Sequence, residues 1–385
     1  MSMYVALLGN TPSLSMAELK AMVGEVSAQR SSTHSAVLQL DSDDQASQLQ
    51  EIAGGIFKIL RMQFQLDQDP DRAAAQIADY LLTKKGKIIF GIGSLDQEKL
   101  VVSPQSVKSL LSKQDFKCRY LEGDLWGLSA SILTHKKDVV DLLILHHDQQ
   151  FYLLETVSVQ DVDEWTKRDR RKPYSDARKG MLPPKVARIM TNLALGYSDE
   201  IHSDSPVLYD PFCGTGTVLM EAALRGCQIF GSDLDPNSVA GTQQNIDWLA
   251  TDLDIKIDYH LFESDSAHAY TYDWPQKVDL IVTEPFLGKP NPEPEELPNI
   301  YEGLESLYLG AFKSWLRILH KGSVICIVFP QVVISHNSKK IEHNLLGLID
   351  KLERFGYTLL VKPIAYAHEK ATVKRQILVF RLHSD

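Results

Sequence analysis

The chain has 385 residues, 44% hydrophobic and 23% charged, which is enough for two or three domains that each bury a core. A net charge of −10 argues against binding nucleic acid through the whole surface and leaves room for a local basic strip. Collagen-like, coiled-coil and disordered classes are excluded by composition, and no apolar run approaches the ~18 residues of a membrane span. The start, Met1-Ser2-Met3-Tyr4-Val5-Ala6-Leu7-Leu8, reads as a first strand rather than a signal peptide. Cys118, Cys213, Cys227 and Cys326 show neither CxxC pairing nor a histidine at zinc spacing, so no metal site is expected and a reducing cytoplasm fits.

In chain order, the first strand leads to a helix with apolar positions Leu14, Leu19 and Met22, for which Ser13 or Ser15 could serve as cap. Strands follow at Val37–Leu40 and Ile56–Leu60, around a polar helix. Next come a helix at Ala73–Leu82, a buried strand at Lys87–Ile92, a helix around Val107–Leu111 and a strand at Lys117–Leu121. Leu142–His146 and Phe151–Leu154 fit a hairpin turning through Asp148-Gln149-Gln150. Residues 161–174 carry few apolar side chains and read as a connector. From Lys167 to Arg188 nine basic residues (Lys167, Arg168, Arg170, Arg171, Lys172, Arg178, Lys179, Lys185 and Arg188) face only Asp169 and Asp176, the clearest local charge inversion in the chain. Such a strip can neutralise RNA phosphates, with Lys167, Arg168, Arg170, Arg171 and Lys172 as the candidate contacts.

Beyond Arg188 helix and strand alternate. Helices are expected at Val186–Leu195, Val218–Leu224, Ser238–Leu249, Tyr301–Leu319 and Ile341–Phe355. Strands are expected at Val207–Tyr209, Gln228–Phe230, Ile257–Phe262, Val278–Val282, Val324–Phe329, Tyr357–Val361 and Gln376–Phe380. This alternation predicts an α/β domain with a mostly parallel, doubly wound sheet and its ligand site at the carboxyl ends of the strands.

The first of these strands ends in Asp210-Pro211-Phe212-Cys213-Gly214-Thr215-Gly216-Thr217 and opens into a helix. Gly214 and Gly216 let the main chain approach a ligand, yet neither a GxxxxGK[ST] phosphate loop nor the third glycine of a dinucleotide fingerprint is present, since Leu219 stands there. Asp210 would repel a pyrophosphate and suits a cationic or amine-bearing ligand. Asp233 with Leu234, 23 residues after Asp210 at the end of the second strand, can accept from ribose hydroxyls, and Asp265-Ser266 after the third from an adenine amine. A ligand with an α-amino group, a ribose and an adenine, and no phosphate, is S-adenosylmethionine. Cys213, in this loop, reads as a small packing residue rather than a nucleophile.

The fourth strand runs into Val282-Thr283-Glu284-Pro285-Phe286-Leu287-Gly288-Lys289-Pro290. Amino-group methyltransferases place an acid or amide, a proline and an aromatic there: carboxylate and carbonyl accept the amine N–H groups while the ring stacks on an extruded base. Thr283, Glu284, Pro285 and Phe286 are therefore the candidate catalytic residues.

Taken together, Leu7–Leu19, Gly54–Ile59, Leu128–His135, Lys167–Asp169 through Gly180-Met181-Leu182-Pro183-Pro184-Lys185 and the glycine loop resemble the THUMP-containing tRNA guanine N2-methyltransferases of the guanosine-10 type. The resemblance implies a ferredoxin-like domain at 1–65, an RNA-binding THUMP domain at 66–157, a basic linker at 158–178 and a Rossmann-like class I methyltransferase domain at 179–385. It implies that Met181, Leu182 and Pro183 line the donor's methionine end and that the partner is tRNA or another structured RNA. The family usually reads Asp-Pro-Pro-Tyr-Gly at the catalytic loop. Aligned without gaps, Glu284 replaces its Asp, Phe286 its second Pro and Leu287 its aromatic; shifted by one, Thr283 stands where the acid belongs. An RNA-binding protein that is non-catalytic or of altered specificity, and a DNA amino-methyltransferase, are the competing readings.

Overall fold

The computed structural model describes residues 2–95, 102–124, 126–147, 149–176, 181–198, 203–336, 339–366 and 371–383, without the side chains of 335, 336, 339 and 340. Asp148, Arg178, Lys179, Gly180 and the expected 178/179 boundary lie outside the described residues. The chain forms two compact units, Met1–Trp165 and Thr166–Asp385.

The first unit contains β1 (Ser2–Leu8), α1 (Pro12–Val23), β2 (Ala28–Arg30), β3 (Ser35–Leu40), α2 (Asp43–Ile52), β4 (Ile56–Leu66) and α3 (Pro70–Leu82). It continues through β5 (Ile88–Ser94), α4 (Pro104–Lys113), β6 (Cys118–Tyr120), α5 (Ala130–His135), β7 (Val139–His147) and β8 (Gln150–Val159). One sheet runs through it all in the order β2-β3-β1-β4-β8-β7-β5-β6. The expected 65/66 boundary falls inside β4, which pairs with β1 on one side and β8 on the other. Alternation explains how β1 is buried on both faces: Tyr4, Ala6 and Leu8 pack with Met16 and Leu19 of α1, while Val5 and Leu7 pack with Leu143 and Leu154. The β7–β8 hairpin forms with His147 opposite Gln150.

A buried ion pair fastens this sheet. Lys58 Nζ donates to Trp126 O at 2.8 Å, Leu128 O at 2.6 Å and Asp141 Oδ2 at 2.7 Å. Asp141 also accepts from Leu128 N and Thr156 Oγ1, both at 2.7 Å. Each proton of the ammonium thus has an acceptor.

Two expectations here are corrected. Helix α1 is capped at Thr11 with Pro12 at its start, and Ser13 and Ser15 lie within it, where the Ser15 hydroxyl donates back to Thr11 O. The expected connector at 161–174 is in part a helix, α6 (Val162–Arg170), which crosses the unit boundary. Its polar sequence hides it from a search for apolar periodicity, but Asp161 accepts from the N–H groups of Asp163 and Glu164 and starts the turn.

The second unit holds α7 (Pro184–Gly196), β9 (Val207–Asp210), α8 (Thr217–Ala223), β10 (Gln228–Asp233), α9 (Pro236–Leu253), β11 (Tyr259–Glu263), β12 (Val278–Thr283) and α10 (Leu297–Trp315). After these come β13 (Leu319–His336), β14 (Lys339–Asn344), α11 (Ile349–Glu353), β15 (Tyr357–Leu359), β16 (Ile364–Tyr366) and β17 (Val373–Leu382). The sheet order is β11-β10-β9-β12-β13-β17-β15, with β14 added to β13 and β16 to β17. The strands from β11 to β13 are parallel, so the unit is a Rossmann-like doubly wound sheet, as expected, and β17 joins it antiparallel to β13. The chain winds outward from β9 in one direction and from β12 in the other. A crevice therefore opens past the carboxyl ends of these two strands. On α10, Tyr301, Leu304, Tyr308, Ala311, Phe312 and Trp315 form the buried stripe that packs on the sheet.

Two helix expectations are corrected in this unit. Helix α10 begins at Leu297, with Pro298 in its first turn, and ends at Trp315, leaving Leu319 to start β13. The expected helix at Ile341–Phe355 begins as strand: β13 continues beyond Phe329 and folds back as β14, pairing Ile334 with Ile341 and Val332 with His343. Four strand residues before a short helix were too few for period-two alternation to separate from helical spacing. No helix among the described residues is long and apolar enough to cross a membrane.

Candidate active site

The glycine loop leaves β9 and is fixed from behind by α9. Gly214 and Gly216 have φ of 54° and 73°, and a Cβ on Gly216 would sit 2.8 Å from the Thr242 methyl. Thr242 Oγ1 donates to Gly214 O at 3.0 Å, and Asn245 Nδ2 to Thr215 O at 2.8 Å. Cys213 is buried, accepts weakly from Thr242, and has its pKa pushed up by burial, all of which agrees with a packing role.

Asp210 ends β9 almost fully buried. Its Oδ1 accepts from Thr283 Oγ1 at 2.6 Å and from Phe212 N at 3.1 Å; no cation pairs with it among the described residues. Burial raises its pKa to about 7, with the charges of Asp233 and Glu284 acting in the same direction. Asp233 ends β10, where its two oxygens accept from Gly214 N at 2.9 Å and Asp235 N at 3.0 Å, each keeping a second lone pair. Leu234 beside it is 71% exposed, a large apolar side chain facing outward from the crevice rim. Asp265 caps the short turn after β11 through Ala267 N, and the Ser266 hydroxyl is buried with no hydrogen-bond partner among the described residues. Leu182 is buried and Pro183 caps α7, with Met181 half-buried.

The loop after β12 brings the candidate catalytic residues beside Asp210. Thr283 is buried, its hydroxyl committed to Asp210. Glu284 forms an ion pair with Arg375 of β17. Pro285 is buried, whereas Phe286 is 62% exposed and its carbonyl accepts from the buried Tyr308 of α10 at 3.1 Å. Phe286, Gly288, Lys289 and Ile300 line an open cleft of about 660 Å³.

The structure corrects the basic strip. Arg168 is buried, donating to Glu221 Oε1 at 2.8 Å while Arg188 holds Glu221 Oε2 at 2.7 Å, so helix α6 turns it toward α8 rather than toward solvent. Lys167 pairs with Asp252 of α9. Lys172 is buried against the glycine loop. Arg170 and Arg171 remain exposed. Sequence reasoning also missed Thr242, Asn245 and Arg375, which act from distant elements, and Tyr174, whose backbone N–H and carbonyl are both held by Asn245 and whose ring covers Gly241.

Residues 170–334 match the UPF0020 family model, an RMKL-like methyltransferase domain. A tRNA (guanine(10)-N2)-dimethyltransferase of Methanothermobacter thermautotrophicus is 34% identical over 151 residues, 39% of each chain. Its namesake from Methanocaldococcus jannaschii is 30% identical over 173 residues, 45% of this chain and 46% of the relative. The aligned segment thus spans less than half the length of these curated relatives. A candidate methyltransferase solved as a complex with SAH shares the fold, with a TM-score of 0.51 at 11% identity, covering 100% of this chain and 98% of the other.

Proposed function

We propose that this protein is an S-adenosylmethionine-dependent RNA N-methyltransferase acting on an exocyclic base amine in tRNA, guanosine N2 of the position-10 type. The observation that carries this reading is Asp210: a buried carboxylate with no cation partner among the described residues, at the sheet's switch point, beside the Thr283-Glu284-Pro285-Phe286 loop. The donor would supply a methyl group on a sulfonium, already activated for transfer. The pocket residues suit it: Asp210 for its ammonium, Asp233 for ribose hydroxyls, exposed Leu234 as an apolar wall for adenine, and the buried Ser266 hydroxyl with Asp265 for the adenine edge. Met181, Leu182 and Pro183 would border the methionine end.

In this reading Phe286 stacks on the extruded base, whose place is the cleft beside it. Glu284 and the Pro285 carbonyl accept N–H bonds from the target amine, so that the nitrogen lone pair turns toward the methyl carbon. Glu284 or water would take the proton that the target nitrogen loses on methylation. Arg375 holds the Glu284 carboxylate in one orientation, which offsets the extra methylene relative to the family's Asp. Thr283, with its hydroxyl on Asp210, supports the ungapped alignment in which Glu284 is the acid.

Residues 1–65 and 66–157 would form the ferredoxin-like and THUMP parts of the N-terminal unit, and 179–385 the methyltransferase domain. Arg170 and Arg171 in the linker at 158–178 would meet RNA phosphates, and the protein would work in the cytoplasm. Transfer of labelled methyl groups to unmodified tRNA, followed by nucleoside mass spectrometry, tests the proposal. N2-methylguanosine is the expected product. Methylated DNA in its place supports the DNA amino-methyltransferase reading, and RNA binding without transfer supports the non-catalytic one.

A further inference from the structure

Lys172 was expected at an RNA phosphate and is instead 6% exposed. Its Nζ donates to Thr217 Oγ1 at 2.8 Å and lies 3.3 Å from Thr215 Oγ1. No carboxylate lies within ion-pair distance of it among the described residues, and its third ammonium proton has no protein acceptor there. Two hydroxyls solvate a buried ammonium without neutralising it. The segment that carries Lys172 is held in place, because Tyr174 is bonded through its backbone to Asn245, which also fixes the glycine loop. Burial draws the lysine pKa below its usual value, opposed by the fields of Asp169 and Glu221, so a nearby anion would favour the charged form.

We infer that Lys172, with the hydroxyls of Thr215 and Thr217, receives the α-carboxylate of the donor's amino-acid end. The inference rests on the donor reading above and adds the residue that recognises one group of that donor. The glycine loop then has a buried acid, Asp210, at its start and a buried cation against Thr215 and Thr217. These are a buried acid and a buried base with no ion-pair partner among the described residues, and they match the ammonium and carboxylate of a zwitterion. An RNA phosphodiester would need an exposed cation, which Lys172 is not.

Calorimetry on the full chain with S-adenosylmethionine and with decarboxylated S-adenosylmethionine tests this, since the second keeps sulfonium, amine, ribose and adenine and lacks only the carboxylate. The wild type is expected to favour the carboxylated ligand by about ten- to a hundredfold. Lys172→Met should weaken that ligand by the same factor and leave the decarboxylated one within about threefold, and Lys172→Arg should restore part of the preference. Equal wild-type affinities, a reading that needs no variant, overturn the assignment, as does equal weakening of both ligands by Lys172→Met. Binding of neither ligand by the wild type overturns the donor reading itself. A loss of affinity for unmodified tRNA in Lys172→Met, with the ligand ratio unchanged, overturns the assignment in favour of a phosphate contact.

Discussion

Each unit buries a lysine, and the two lysines are treated differently. Lys58 in the N-terminal unit gives its three protons to two carbonyls and to Asp141, a carboxylate that also accepts from Leu128 N and Thr156 Oγ1. Among the described residues, Lys172 in the C-terminal unit donates only to threonine hydroxyls. The first arrangement is complete within the protein and joins strands to a loop. The second has no carboxylate within ion-pair distance among the described residues. A buried charge with all its partners marks architecture, while a buried charge missing its counter-ion marks a place where something else binds.

The largest expected effect tests that contrast. Lys58→Met strands Asp141 in the sheet and should cost about 3–5 kcal/mol in urea denaturation of the N-terminal unit, whereas Lys172→Met should leave stability within about 1 kcal/mol. Equal losses would erase the distinction. Next, Glu284→Ala should lower methyl transfer to tRNA by about 100-fold or more while calorimetric donor affinity is retained. Asp233→Ala should do the reverse of that, weakening donor binding by about ten- to a hundredfold through the lost ribose bonds.

Asp210 adds a dependence on pH. Its native pKa of about 7 lies above the ~3.9 of an unfolded aspartate, so between those values the folded state binds more protons and stability falls as pH rises. Donor affinity should move the opposite way, growing by up to about tenfold per pH unit until it levels off above about pH 7, because the ammonium is attracted to the ionised form. Asp210→Asn should flatten both profiles. The smallest effect belongs to the exposed basic pair: Arg170→Ala and Arg171→Ala should each reduce the salt slope of tRNA binding by about 0.7–0.9.

The doubly wound sheet was legible because its strands are short apolar runs separated by helical periodicity, and the acids worth noticing each follow such a run. Asp210, Asp233 and Glu284 are therefore placed at one end of the sheet by the sequence alone. What surrounds them is not. Arg375 lies 91 residues from Glu284 and reaches it only because β17 inserts next to β13. Thr242 and Asn245 sit in the middle of α9, where they resemble ordinary polar helix positions. The basic strip misled for a related reason: local charge density cannot show that α6 turns Arg168 onto Glu221 and that Tyr174 carries Lys172 inward.

The ring of Tyr174 lies so close to Gly241 that a β-carbon there would come within 2.1 Å of it. One hydrogen atom in place of a methyl group on α9 is thus what permits the stretch from Lys172 to Tyr174 to lie flat against the helix. Any larger residue at 241 would lift that stretch and withdraw the ammonium without changing any residue proposed to meet the donor. Evolution or an engineer could retune the pocket's charge from a position that, by its own chemistry, has none.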